Sequence, residues 1–391
     1  MSGPPTRIIH SARLVSGGSI TPDAWVAFTG STIAAVGSGD GWRAQGVPAR
    51  GMTDAAGRWL VPGFIDLHCH GGGGYAFDDG ADAIRRALAV HHRHGTTRLV
   101  LSLVTAARRD LEVRLAAVAD AAEANPLVLG AHLEGPFLDT GFRGAHDASL
   151  LRPPEPDSIA ALLTAARGRL LQWTLAPELP GAGDAIRTLM DAGVAVAVGH
   201  TAAGYAAALA AFDAGASILT HAFNGMPGLH HRAPGPVAAA FRSPGVTLEV
   251  ISDGVHVHPE MVRLAFTGAP GRVALVSDAM AAAGAGDGEY RLGTQPVTVR
   301  GGVARLAGAE GAEGAIAGST LTLDTALRRA VQEAGIPIEA AVAALTETPA
   351  RAIGRSHDLG RLAVGYQADA VLLDEDFDVA AVFAAGGLLP G

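Results

Sequence analysis

The segment FIDLHCHGGGG, Phe64–Gly74, sets two imidazoles two residues apart at the end of an apolar run and follows them with four glycines. Successive residues of a strand point to opposite faces, so His68 and His70 share a face and Cys69 takes the other. The same spacing in AHLEG puts His132 and Glu134 together. Acids and histidines close further apolar runs: Glu178, His200 with Thr201, Thr220–His221 followed by Asn224, Asp253 with His256, and Ser277–Asp278. Imidazole nitrogens and carboxylate oxygens gathered at one concave site are ligands for zinc, iron and similar divalent ions. A single histidine at a strand end is ordinarily a hydrogen-bonded or solvated residue. The conjunction of His68, His70, Glu134, His200, His221 and Asp278 is what singles out a site, and glycines beside it would let backbone approach closely.

The elements that must position these residues read as an α/β chain. Eight apolar runs of strand length start at Phe64, Thr97, Pro126, Leu170, Val194, Ala216, Gly245 and Arg272. Ala-rich stretches of helix length, such as ADAIRRALAVHHRHG and AGYAAALAAFDAGA, separate them. Eight such units predict a closed (β/α)8 TIM barrel whose strand ends face one mouth, with an open doubly wound sheet as the alternative. Residues 1–62 read as short strands, and LGRLAVGYQADAVLLD near the C-terminus is strand-like again. We expect 1–62 and 353–391 to pair as a small β-sandwich, with the barrel over 63–352 and β-hairpins inserted near 289–317. Helices are expected near Leu321–Ala334 and Pro337–Thr346. His91, His92 and His94 fall at a predicted helix end, where cations suit the helix dipole.

Bulk properties narrow the partners. Of 391 residues, 49% are hydrophobic and 17% charged, enough for a large core. The net charge of −9 argues against nucleic acid, which recruits Lys/Arg surfaces. One cysteine, Cys69, excludes an internal disulfide and a multi-cysteine zinc site. No basic-then-apolar leader opens the chain and no apolar run reaches membrane-spanning length, so the expectation is a cytoplasmic protein without a membrane partner.

The motifs VPGFIDLHCHG, GAHLEGPFL, GAH at Gly144–His146, APE, VGHT, THAFNGM, SDGVHVHP, VSDAM and AGSTLTLD resemble the amidohydrolase superfamily and, within it, the N-acetylglucosamine-6-phosphate deacetylases. The resemblance runs along nearly the whole chain. It implies that Glu134, His200 and His221 hold a principal divalent metal (Zn, Fe, Mn or Co) and that His68 and His70 support a second. It makes Asp278 the catalytic acid/base and has the ion or His256 polarise the acetyl carbonyl. It assigns the sugar phosphate to Asn224, Gly225 and Arg232. Ala145, His146, Asp253 to His256, and Ile316, Ala317 and Gly318 would line the sugar and acetamide pocket. It further implies a homodimer in which Arg232 acts within its own subunit or across to the partner.

Two rivals stay open at this stage. One is another amidohydrolase, acting on a related N-acyl amino sugar or a cyclic amide. The chain contains no lysine, which removes the subclasses that bridge metals with a carboxylated lysine. The other rival is a non-catalytic sugar-phosphate-binding protein on the same fold.

Overall fold

The computed structural model describes residues 4–307 and 314–390. Part of the expected insertion, 308–313, and the outermost ends of the expected sandwich segments lie outside the described residues.

Eight parallel strands follow the apolar runs: β1 (Phe64–Cys69), β2 (Thr96–Val104), β3 (Val128–Glu134), β4 (Leu170–Leu175), β5 (Ala195–Val198), β6 (Ile218–Leu219), β7 (Thr247–Val250) and β8 (Val273–Leu275). Each pairs with the strand next in sequence. The outer strands then meet: Asp278 N–H donates to His68 O at 2.8 Å and His70 N–H to Ala279 O at 2.7 Å, beside a parallel Cys69–Ala279 bridge. The sheet closes as a (β/α)8 barrel rather than lying open. Helices such as Ala81–Arg93, Arg108–Ala124 and Tyr205–Asp213 connect the strands. The strands stop earlier than their apolar runs because the functional residues leave the ladder. His200, His221 and Asp278 carry φ of 49°, 26° and 48°, left-handed values that no strand continues.

The terminal segments form a second sheet of eight strands, with Arg7–Ser16, Ser19–Thr29, Thr32–Ser38, Met52–Asp54 and Trp59–Pro62 joined to Ala370–Leu373, Val379–Ala384 and Gly387–Leu388. It curls over a core of Ile9, Val26, Phe28, Ile33, Leu60, Leu372 and Phe383, giving the expected β-sandwich domain. Of LGRLAVGYQADAVLLD only Ala370–Leu373 is strand. By contacts the chain divides into two compact units, one of Leu67–Val90 and Leu99–Thr322, the other holding the terminal sheet, His91–Arg98 and the chain from Leu323 onward. The helices Leu323–Gln332, Ile338–Leu345 and Glu347–Ala352 therefore group with the terminal sheet. Among the described residues no helix is long and apolar enough to cross a membrane.

Three antiparallel strands, Gly288–Leu292, Gln295–Arg300 and Val303–Leu306, make the insertion after β8. Their inner side chains Val297, Val299 and Ala304 pack on Met280 and Ala282.

Two sequence expectations need correction. The glycines after His70 do not open backbone toward the site. Gly71–Gly72 pairs with Tyr75–Ala76 in a tight hairpin, and a Cβ on Gly71 would lie 2.2 Å from Tyr75 O. His91 and His92 are not solvated cations at the helix end. His91 is fully buried, His92 Nδ1–H donates to Thr96 O at 2.8 Å, and His94 pairs with Asp324 at 2.7 Å. Burial pushes the His92 pKa down, the wrong direction for a surface charge.

Candidate metal centre

Glu134 ends β3, while His200 and His221 stand just beyond β5 and β6. Their left-handed turns aim both imidazoles at the carboxylate. Glu134 Oε1 lies 3.1 Å from His200 Nε2 and 3.1 Å from His221 Nε2, and the two nitrogens are 3.1 Å apart. Gly225 lets the following loop pass close behind: at φ +61° it takes a left-handed conformation that favours glycine, and a Cβ there would crowd His200 Nδ1 at 3.0 Å.

A second cluster abuts the first. His68 Nε2 and His70 Nε2 are 3.1 Å apart, and Asp278 Oδ1 sits 3.5 Å from the former and 3.3 Å from the latter. Glu134 joins the clusters, with Oε1 3.4 Å from His68 Nε2 and Oε2 3.3 Å from His70 Nε2. His146 Nε2 also lies 3.3 Å from Glu134 Oε2. His68, His70, Glu134, His200, His221 and Asp278 are all buried, and His146 is partly so.

The hydrogen bonds behind the rings place a proton on Nδ1 in two of them. His200 Nδ1–H donates to the Phe142 carbonyl at 2.8 Å, and His68 Nδ1–H donates to the Glu249 carboxylate at 3.1 Å. Carbonyl and carboxylate only accept, so both Nδ1 atoms carry a proton, and in the neutral rings both Nε2 lone pairs point inward. Lone pairs facing each other and facing carboxylate oxygens at 3.1–3.5 Å repel unless positive charge sits among them. Without an ion, protons supply that positive charge. Burial opposes a charge on His70, but Asp278 and Glu134 override it and raise its pKa to about 9. Burial likewise disfavours the carboxylate form of Asp278, yet His68 and His70 bring it down to about 2. Two triads, Glu134–His200–His221 and His68–His70–Asp278, have one ligand atom each within 4.8 Å of the others. This nitrogen and oxygen donor set fits divalent metal ions.

A cavity of about 210 Å³ opens over the clusters, lined by His70, Glu134, His200, His221 and Asp278. Ala145, His146, Asn224, Gly225, His256, Ile316 and Gly318 from the sequence prediction line it too. His256 is held from behind, its Nδ1–H donating to Asp253 Oδ2 at 2.7 Å. Asp253 and Ala317 are absent from the lining, the latter buried in the packing of the insertion. Arg232 is exposed outside this lining, its guanidinium 2.8 Å from His231 Nε2. His132 shares a strand face with Glu134 but lies one layer deeper. Its ring bonds to Ser102 Oγ at 2.9 Å and Thr174 Oγ1 at 2.8 Å, while burial keeps its pKa well below the ordinary value. Glu178 instead accepts from Thr201 Oγ1–H and Ala202 N–H, bracing the turn after His200.

The sequence reading missed Gly144, Ile251 and Leu292 in the lining and Glu249 behind His68. Ile251 and Leu292 had no signal, being ordinary apolar residues. Glu249 had one: a lone carboxylate in the apolar run GVTLEVIS.

The Amidohydrolase family matches residues 59–389. An N-acetylgalactosamine-6-phosphate deacetylase of Escherichia coli O157:H7 is 36% identical over 387 residues, covering 98% of this chain and 99% of that one. An N-acetylglucosamine-6-phosphate deacetylase of Vibrio furnissii is 36% identical over 394 residues, covering 98% and 93%. A solved structure of the N-acetyl-D-glucosamine-6-phosphate deacetylase of Mycobacterium smegmatis, an Asp-to-Ala variant in complex with N-acetyl-D-glucosamine-6-phosphate, superposes with a TM-score of 0.91 at 41% identity over 98% of each chain. The chain belongs to the amidohydrolase family and, within it, to the N-acetylglucosamine-6-phosphate deacetylases.

Proposed function

We propose that the enzyme hydrolyses the N-acetyl amide of N-acetylglucosamine 6-phosphate, giving glucosamine 6-phosphate and acetate. The observation that carries this reading is the pairing of the Glu134–His200–His221 triad with a buried Asp278 at one cavity. The relatives that support the substrate include deacetylases of both the gluco and the galacto 6-phosphates.

Glu134, His200 and His221 would hold the principal ion, and His68 and His70 a second. A bound divalent ion, zinc, iron, manganese or cobalt, polarises an amide carbonyl and acidifies water. Asp278 does the proton work. Positive charge beside it keeps it a carboxylate at neutral pH, so that it can take a proton from the attacking water and deliver it to the departing nitrogen. His256, oriented by Asp253, presents Nε2 to the acetyl oxygen and stabilises the charge that grows there. His146 and the apolar side chains Ala145 and Ile316 form the wall against which the sugar rests. Asn224 and Gly225 would place the phosphate, and Arg232 would reach it from the same loop or from a second copy in a homodimer. A guanidinium matches a phosphate by its fork geometry.

The test is acetate release from the gluco and galacto 6-phosphates, with metal per chain counted on the same sample. Release from the gluco compound by the metal-loaded protein is expected. Preferred turnover of the galacto epimer would change the substrate, and no release from either would remove the deacetylase reading.

A further inference from the structure

Glu249 lies on β7, wholly buried, and its side chain is used on both oxygens. Oε1 accepts from Gln172 Nε2–H at 2.7 Å. Oε2 accepts from His68 Nδ1–H at 3.1 Å and from the His221 backbone N–H at 3.4 Å. Its own carbonyl takes the Ala222 N–H at 2.7 Å. One residue therefore grips a ring of the second cluster and the backbone turn of the first.

Among the described residues His68 is the sole ion-pair partner of Glu249. A buried carboxylate is costly unless positive charge compensates it. Among the described residues no arginine pairs with it, so the compensation comes through the His68 ring, from its Nε2 side. That arrangement, carboxylate to imidazole to cation, orients the ring and makes its far nitrogen a stronger ligand. His70 is held differently: its Nδ1 is buried without a hydrogen-bond partner. Of the two histidines only His68 has an anionic brace.

We infer that Glu249, set by Gln172, is the positioning residue that makes His68 a ligand and so decides whether the second ion is held. This rests on the two-ion reading above. It adds that the second site is built from β7 and β4 as well as from β1 and Asp278.

The test compares wild type with Glu249→Gln, which keeps shape and an acceptor but removes the charge. Each protein is loaded with cobalt(II), dialysed, and titrated with a chelator while ions per chain and the visible cobalt spectrum are followed. Wild type is expected to hold two ions. In Glu249→Gln the second ion should bind about 10–100-fold more weakly, with the first retained and its spectral band unchanged. Equal chelator resistance of the second ion in both proteins would overturn the inference and leave the two-ion reading standing. A wild type that holds one ion would overturn both. If Glu249→Gln lacks a cooperative melt, Gln172→Ala replaces it, since the carboxylate stays and only its brace is lost. A weaker second ion in that variant supports the inference, and an unchanged one overturns it.

Discussion

Asp278 Oδ1 stands 3.3 Å from His70 Nε2, so a residue just beyond the last barrel strand faces a ring from the end of the first. Barrel closure creates this contact, because the same Asp278 donates its backbone N–H to His68 O at 2.8 Å. Asp278→Asn keeps the size and loses the base. Turnover should fall by about 10²–10⁴-fold, the usual worth of a positioned proton carrier. The ion held by Glu134, His200 and His221 should remain, as counted by metal analysis. Near-normal turnover would remove Asp278 from the mechanism.

Asp253 and His256 give a pH-dependent stability. Burial works against the His256 cation, but Asp253 at 2.7 Å raises its pKa, and burial is likewise outweighed where His256 lowers that of Asp253. The raised histidine contributes stability that is full below its ordinary value of 6.5 and is lost as pH rises through the folded value. The lowered carboxylate contributes above its ordinary 3.8 and is lost as pH falls through the folded value. The pair is therefore strongest between roughly pH 4 and 6.5. Asp253→Asn should cost about 1.5–3 kcal/mol at pH 5.5 and clearly less at pH 9, read by urea unfolding. Equal losses would mean that Asp253 acts through the Val255 and His256 backbone N–H groups it also accepts, each at 2.8 Å.

Arg232 separates phosphate recognition from chemistry. Arg232→Ala should raise KM for N-acetylglucosamine 6-phosphate at least tenfold, by roughly the 1.4 kcal/mol or more of one lost charged contact, and leave KM for the unphosphorylated sugar little changed. The same rise for both sugars would take Arg232 out of the phosphate site.

Arg98 and Asp369 form a buried two-point ion pair, Nε to Oδ2 at 2.7 Å and Nη2 to Oδ1 at 3.1 Å. Arg98→Met strands the carboxylate and should cost about 3–5 kcal/mol in denaturant unfolding. Adding Asp369→Asn should recover part of that loss, and a fully additive double variant would argue against a direct coupling.

The amino-acid sequence alone determined the local grammar of this protein. Period-two spacing put His68 with His70 and His132 with Glu134 on shared faces, and alternating apolar and Ala-rich runs announced eight βα units. Family motifs supplied roles for Glu134, His200, His221 and Asp278. Parity carries no depth, however: His132 and Glu134 face the same way, yet only Glu134 joins both clusters through its oxygens, while the His132 nitrogens are spent on Ser102 and Thr174. Local pattern also misjudged the glycines after His70 and the buried His91 and His92, whose surroundings are set by packing. Tertiary structure decided the closure of the barrel, the contact of Asp278 with His70, and the grip of Glu249 on His68 and His221. Those contacts join residues far apart in sequence. They depend on strand register and on how the barrel core packs, a property of the whole closed sheet that no local repeat encodes.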